Sequence, residues 1–230
     1  VVRISRRIMK LGIIQGRLSE PKEGFQECPI DWKREFDLLS ELGLTHIEWI
    51  ITEKHFHSNP IFYNVISKYS ISSVCADFMV SDKFCDSKYL MTHLEPLCLA
   101  AEDNNIKNIT IPLLENSSVE EKDIRDKFMK VFYPYTKEHK NINFLIEAEL
   151  HQEKLKKMLD FNSNLFVTYD TGNITSCGLN HEDYIFELAD KIKQVHIKDR
   201  IRNPLETVEP TKGDTDFELI FKCLKQVNYD

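Results

Sequence analysis

Alternation is the feature that most constrains this chain. Seven short apolar runs lie at 11–15, 46–50, 71–76, 107–112, 142–147, 165–170 and 194–198, and each is followed by a stretch with helical spacing. The runs are short, apolar and partly β-branched. They therefore read as strands buried on both faces. Strand-then-helix order calls for a parallel sheet with right-handed crossovers. Seven units exceed the roughly five or six strands of an ordinary sheet. They suit a (β/α)₈ TIM barrel, which typically needs about 250 residues. The 230 residues stop at Asn228-Tyr229-Asp230, just after the last helical stretch. The expected fold is thus α/β, a (β/α)₈ TIM barrel with its eighth strand missing from this chain.

The helical stretches carry recognisable faces and ends. Trp32, Phe36, Leu39 and Leu42 share a face of 31–42, and Gly43 supplies a stop. Ser118 to Glu121 reads as a capping box, followed by a stripe of Ile124, Phe128 and Val131. Leu155, Met158 and Leu159 mark another helix, as do Tyr184, Ile185 and Leu188, and then Phe217, Ile220, Phe221 and Leu224. Residues 61–69 and 87–103 are expected to be helical too, with a kink at Pro96 in the second. No linker or low-complexity tract interrupts 9–230, which is read as a single domain. Residues 1–8 are basic but lack the apolar core of a signal peptide, so they read as an N-terminal extension or remnant ahead of Met9.

Composition narrows the function. Apolar residues make up 42% and charged residues 29%, as in an ordinary globular protein. The net charge of -7 and the lack of a basic stripe argue against a nucleic-acid partner. No apolar run reaches membrane-spanning length, so no membrane partner is expected. The six cysteines (28, 75, 85, 98, 177 and 223) show no C-x-x-C spacing. Reduced thiols and a cytoplasmic location follow as expectations.

Three of the strand-like runs end in residues that hold metals. Asn143-Phe-Leu-Ile-Glu147, Leu165-Phe-Val-Thr-Tyr-Asp170 and Gln194-Val-His196 are consecutive. The carboxyl ends of parallel barrel strands form the face where such barrels do chemistry. Singly, Glu147 serves equally as a helix cap, Asp170 as the start of an Asx-turn, and His196 as a core histidine. Together they point to a divalent metal. Two carboxylates and one imidazole suit Mn²⁺, Mg²⁺, Zn²⁺ or Fe²⁺ without choosing among them. Such an ion polarises a carbonyl and steadies an enediolate. Glu147 is a natural base beside it.

The residues also carry a resemblance. Phe144-Leu-Ile-Glu147, Tyr169-Asp-Thr-Gly-Asn173, Val195-His-Ile-Lys-Asp199 and Gly213-Asp-Thr-Asp-Phe217 resemble the xylose isomerase-like TIM-barrel superfamily. Leu11-Gly-Ile-Ile-Gln-Gly-Arg-Leu-Ser19 and Leu44-Thr-His-Ile-Glu-Trp49 are similar to its first two strands. The superfamily includes sugar phosphate isomerases and epimerases, inosose dehydratases and endonuclease IV. The resemblance implies that Glu147, Asp170 and His196 are metal ligands. It also implies that Glu147 is one of two acid/base carboxylates, the other coming from an eighth strand. A histidine commonly stands three residues after the aspartate; this chain has Asn173, which binds a hydroxyl but offers no imidazole.

Further candidates line the expected barrel mouth. Gln15 and Arg17 follow the first strand, and Arg17 can grip a phosphate or carboxylate with its guanidinium fork. Glu48 is suited either to a sugar hydroxyl or to buttressing the barrel. Lys198 shares the side of His196 if the seventh strand continues, and Asp199 then points away as a structural residue. Trp49 is expected in the core, Asp77 lies just past the third strand, and His55 and His57 fall in a polar loop.

The leading expectation is a metal-dependent isomerase or epimerase of a small sugar, sugar phosphate or related polyol, with dehydration as a near relative. An endonuclease IV-like enzyme and a non-catalytic carbohydrate-binding or assembly protein are the alternatives. A missing eighth strand would leave the first and seventh strands as open edges. Those edges are expected to be covered in a longer natural protein, in a homodimer or by the N-terminal extension.

Overall fold

Strand-forming residues at the centre of the chain are almost wholly sequestered. Ile47, Val74, Ile109, Ile111, Phe144, Leu145 and Val167 each have 0% exposure. Residues of this kind on both sides of a sheet demand helices over one face and packed side chains on the other. A computed structural model describes residues 10–19, 31–63 and 66–229. Residues 1–8, and with them the expected extension, lie outside that description, as does Cys28.

Seven parallel strands pair in chain order: β1 (Gly12–Ile14), β2 (His46–Ile50), β3 (Ile71–Cys75), β4 (Asn108–Leu113), β5 (Asn143–Ala148), β6 (Leu165–Asp170) and β7 (Ile192–His196). The connecting helices are α1 (Trp32–Glu41), α2 (Ser87–Asp103), α3 (Lys122–Glu138), α4 (Gln152–Leu159), and the pair α5 (Thr171–Ser176) and α6 (His181–Glu187). A hairpin of β8 (Asp199–Arg202) and β9 (Leu205–Val208) follows β7, and α7 (Phe217–Gln226) ends the described chain. The sheet curls so far that Glu48 on β2 and His196 on β7 touch. No strand pairs with both β7 and β1 among the described residues, so the architecture is a TIM barrel short of one strand. The Tyr229 hydroxyl donates to the Lys193 carbonyl on β7. No helix among the described residues is long and apolar enough to cross a membrane.

Three local expectations are corrected. The stretch 61–69 opens with a short 3-10 turn at Pro60–Tyr63 rather than an α-helix. Its backbone is claimed by side chains: the Asn59 Oδ1 takes the Ile61 N–H at 3.1 Å, and Asn104 Nδ2 donates to the Ile61 carbonyl at 3.0 Å. The capping box at Ser118–Glu121 does not form. Glu121 precedes α3 without a side-chain bond, and the Arg125 guanidinium bonds the Val119 and Glu120 carbonyls instead. Ile124 is exposed because the buried stripe of α3 runs through Phe128, Met129, Phe132 and Thr136. Leu42 and Phe221 are likewise exposed, and Cys223 takes the buried place beside Ile220 and Leu224. Pro96 sits inside α2 without ending it. The hairpin and the short α5 were not foreseen.

Candidate metal centre

The barrel interior is built in layers drawn from alternate strands. Glu48 on β2, Thr110 on β4 and Thr168 on β6 form one such layer, all buried. The Thr110 hydroxyl donates to Glu48 Oε1 at 2.8 Å and lies 3.2 Å from Thr168 Oγ1. Near this layer stand Glu147 on β5, His196 on β7 and Asp170 on β6. Asp170 and His196 are direct register partners. Glu147 is staggered from Asp170, since Ile146 pairs with Val167. The three residues thus converge because of the barrel's stagger, not because they share one register.

Each acidic group is held. Asp170 caps α5, its Oδ1 taking the Asn173 N–H at 2.8 Å. Its Oδ2 lies 3.1 Å from Lys198 Nζ. Asn173 bridges two partners: its Nδ2 donates to Glu147 Oε1 at 3.0 Å and its Oδ1 accepts from Lys198 Nζ at 2.9 Å. The seventh strand stops at His196, yet Lys198 still points inward because Thr171 holds its backbone at both N–H and carbonyl. Gly172 makes room for it, since a Cβ there would come 3.0 Å from the Lys198 stem. Asp199 is structural, accepting from the Gly213 and Thr215 amides at 2.8 and 3.1 Å.

Glu147 Oε2, Asp170 Oδ2 and His196 Nδ1 face one another, Asp170 Oδ2 while also paired with Lys198 Nζ. Nδ1 lies 3.6 Å from Glu147 Oε2 and 3.9 Å from Asp170 Oδ2. One ligand atom from each residue falls within 4.8 Å of the others. A cation bonded to each at about 2.0–2.2 Å sets its ligands roughly 3–4 Å apart. The residues therefore fit a divalent cation, and the donor set of two carboxylates and an imidazole suits the same four metals.

Electrostatics follows from the crowding. Burial alone would lower the basicity of His196, but the charges of Glu48 and Glu147 and the bond to Glu48 raise it well above the usual range. Burial pushes the Glu48 carboxyl up, and the His196 charge with bonds from His196, Gln194 and Thr110 brings it below the usual carboxylate range. Cys75, at the end of β3, is pushed well up by burial and by Glu48, Glu147 and Asp77.

The remaining candidates are more dispersed. Gln15 is buried, its Oε1 taking the Ile50 N–H at 3.1 Å, while its Nε2 has no partner among the described residues. Arg17 belongs to a separate group with Glu35 and Asp77, and burial brings its guanidinium down to about 10 against their opposing charges. Glu35 anchors that loop by accepting from Gly16 N, Ser19 N and Ser19 Oγ. Trp49 is core: it has 0% exposure, stacks on Phe36 and donates to Asn59. His57 is exposed. Sequence reasoning passed over Thr110, Thr168, Gln194 and Cys75. A threonine inside each apolar run at 108–113 and 165–170 was the available signal.

Comparison with known proteins bears on this arrangement. No family model matches the chain. Part of it is similar to inosose dehydratase of Clostridium beijerinckii, at 30% identity over 46% of this chain and 39% of the relative. The inosose dehydratase of Clostridium botulinum is 29% identical over the same shares. The chain spans about two fifths of the length of these curated relatives. Among solved structures it is similar to the probable 3-DHS dehydratase AsbF of Bacillus anthracis, with TM-score 0.73, 13% identity, and 95% and 89% of the two chains covered. It is similar to the IolI protein, whose structure holds a zinc atom, with TM-score 0.68, 14% identity, and 96% and 86% covered. A D-tagatose 3-epimerase-like protein gives TM-score 0.71, 16% identity, and 96% and 88% covered. The curated relatives are inosose dehydratases, and the chain shares with these solved structures a TIM-barrel fold, described here through seven parallel strands.

Proposed function

We propose that Glu147, Asp170 and His196 hold a divalent metal ion and that the protein is a sugar- or polyol-processing enzyme. The reaction would begin by removing a proton from the carbon beside a carbonyl of a small polyhydroxy ketone. The observation that carries this reading is the convergence of Glu147 Oε2, Asp170 Oδ2 and His196 Nδ1 at the carboxyl ends of three successive strands. When bound, such an ion polarises the substrate carbonyl and stabilises the charge left as the proton departs.

The chain's own residues supply the rest. Glu147 is the base; Asn173 holds its Oε1, so the carboxylate presents a fixed face to the substrate. Lys198, with 27% of its side chain exposed, donates to a substrate oxygen. Gln15 Nε2 supplies a donor for a hydroxyl, satisfying a buried amide that otherwise lacks a partner. Glu48 lies beneath, and Arg17 reads an anionic group if the substrate bears one. Similarity to inosose dehydratases favours loss of a neighbouring hydroxyl as the outcome, with isomerisation or epimerisation following from the same proton abstraction.

Metal analysis of purified protein beside Glu147→Gln and His196→Ala tests the site. Metal in the parent and its loss from both variants is expected; unchanged content in both overturns the assignment. Deuterium uptake from solvent into inososes, ketoses and ketose phosphates tests the chemistry. Sugar binding without exchange into any of them would favour a binding protein.

A further inference from the structure

The two ring nitrogens of His196 meet different surroundings. Nδ1 faces Glu147 Oε2 and Asp170 Oδ2 at 3.6 and 3.9 Å, beyond hydrogen-bond reach. Nε2 lies 2.6 Å from Glu48 Oε2, well within it. Glu48 has only 4% exposure, and its other oxygen is taken by the Thr110 hydroxyl at 2.8 Å. Gln194 places its amide nitrogen 2.8 Å from the same ring nitrogen and also bonds Glu48. An ionised carboxylate accepts only, so the proton between His196 and Glu48 belongs to Nε2, and the Gln194 amide nitrogen donates to Glu48 rather than to the ring.

We infer that Glu48 is a positioning residue that holds His196 with its proton on Nε2, leaving Nδ1 as the nitrogen that binds the metal. This rests on the metal reading above. Imidazoles that bind metals usually donate their other N–H to a carboxylate or carbonyl, which fixes the tautomer and ring orientation. Here the carboxylate arrives from β2, across the barrel from β7. The nitrogen offered to the metal therefore depends on how the sheet curls, and Thr110 keeps Glu48 from turning away.

The test uses full-length protein with ¹⁵N-labelled histidine, loaded with Zn²⁺. The His196 signals are assigned by their loss in His196→Ala. Expected are a metal-shifted Nδ1 and a protonated Nε2 in the parent protein. In Glu48→Ala, chelator competition should show zinc affinity reduced about 10- to 100-fold. Glu48→Gln, whose amide oxygen still accepts, should recover part of that loss. Zinc bound through Nε2 overturns the inference while leaving the metal site standing. So does affinity in folded Glu48→Ala equal to that of the parent. No zinc binding by the parent removes the metal reading and this inference with it. The parent spectrum decides the matter even if Glu48→Ala fails to fold.

Discussion

Glu48 Oε2 and His196 Nε2 lie 2.6 Å apart although 148 residues separate them in sequence. The bond ties the second strand of the sheet to the last. It places a charged hydrogen bond across the barrel, within a buried polar network. Such a bond is strong when its remaining valences are met and costly when one is removed.

Thr110 meets one of those valences. Thr110→Val keeps the volume and removes the hydroxyl that donates to Glu48 Oε1. Urea unfolding should show a loss of about 1–3 kcal/mol. Thr110→Ser should remain within about 1 kcal/mol of the parent.

Asn173 links Glu147 to Lys198. Asn173→Ala should retain metal, because its side chain is not among the converging donors. Turnover should fall about 10- to 100-fold, as for other groups that orient a reacting side chain. Parallel metal analysis and steady-state kinetics separate the two effects.

Asp170 also serves as the cap of α5. Asp170→Ala should lose about 1–2 kcal/mol of stability together with the metal. Asp170→Asn keeps a capping oxygen and should lose less stability. Comparing denaturation midpoints at equal slope checks the difference.

His181 gives stability a pH dependence. It is buried, with Nδ1 2.6 Å from the Tyr169 hydroxyl and Nε2 3.0 Å from Thr175 Oγ1. The Thr175 hydroxyl donates to the Thr171 carbonyl, so Nε2 carries the proton and Nδ1 accepts from Tyr169. Burial, helped by Arg202 and opposed by Asp216, lowers the group from 6.5 to about 4. The unfolded chain therefore binds more protons between those values. Stability is fully present above about pH 6.5 and falls as the pH drops toward 4, by about 1–2 kcal/mol after allowance for solvent screening. Urea titrations at pH 7.5 and pH 5 should show that loss in the parent and not in His181→Gln.

Glu35 holds the loop after β1 through three donors. Glu35→Ala strands the Gly16 and Ser19 amides and should cost about 2–4 kcal/mol. Because Arg17 rides on that loop, affinity for an anionic substrate should fall as well. Binding of a ketose and its phosphate, measured by calorimetry, would separate the two consequences.

Periodicity and residue type settled a great deal locally. The order of seven strands and their helices was legible because each is written in neighbouring residues: short buried runs, then faces repeating every three or four positions. Glu147, Asp170 and His196 were legible for the same reason, as metal-binding types ending successive strands. The failures were local competitions. Asn59 and Asn104 took the Ile61 backbone groups, and Ser118 Oγ accepts from the Glu120 N–H rather than from the first turn of α3.

What the sequence alone determined, then, was the strand-helix rhythm and the chemistry available at the strand ends. Only the tertiary structure decided which groups meet. Glu48 faces His196, and Asn173 bridges Glu147 to Lys198. Both depend on inter-strand stagger and sheet curvature, which are summed over the whole barrel and written in no single segment.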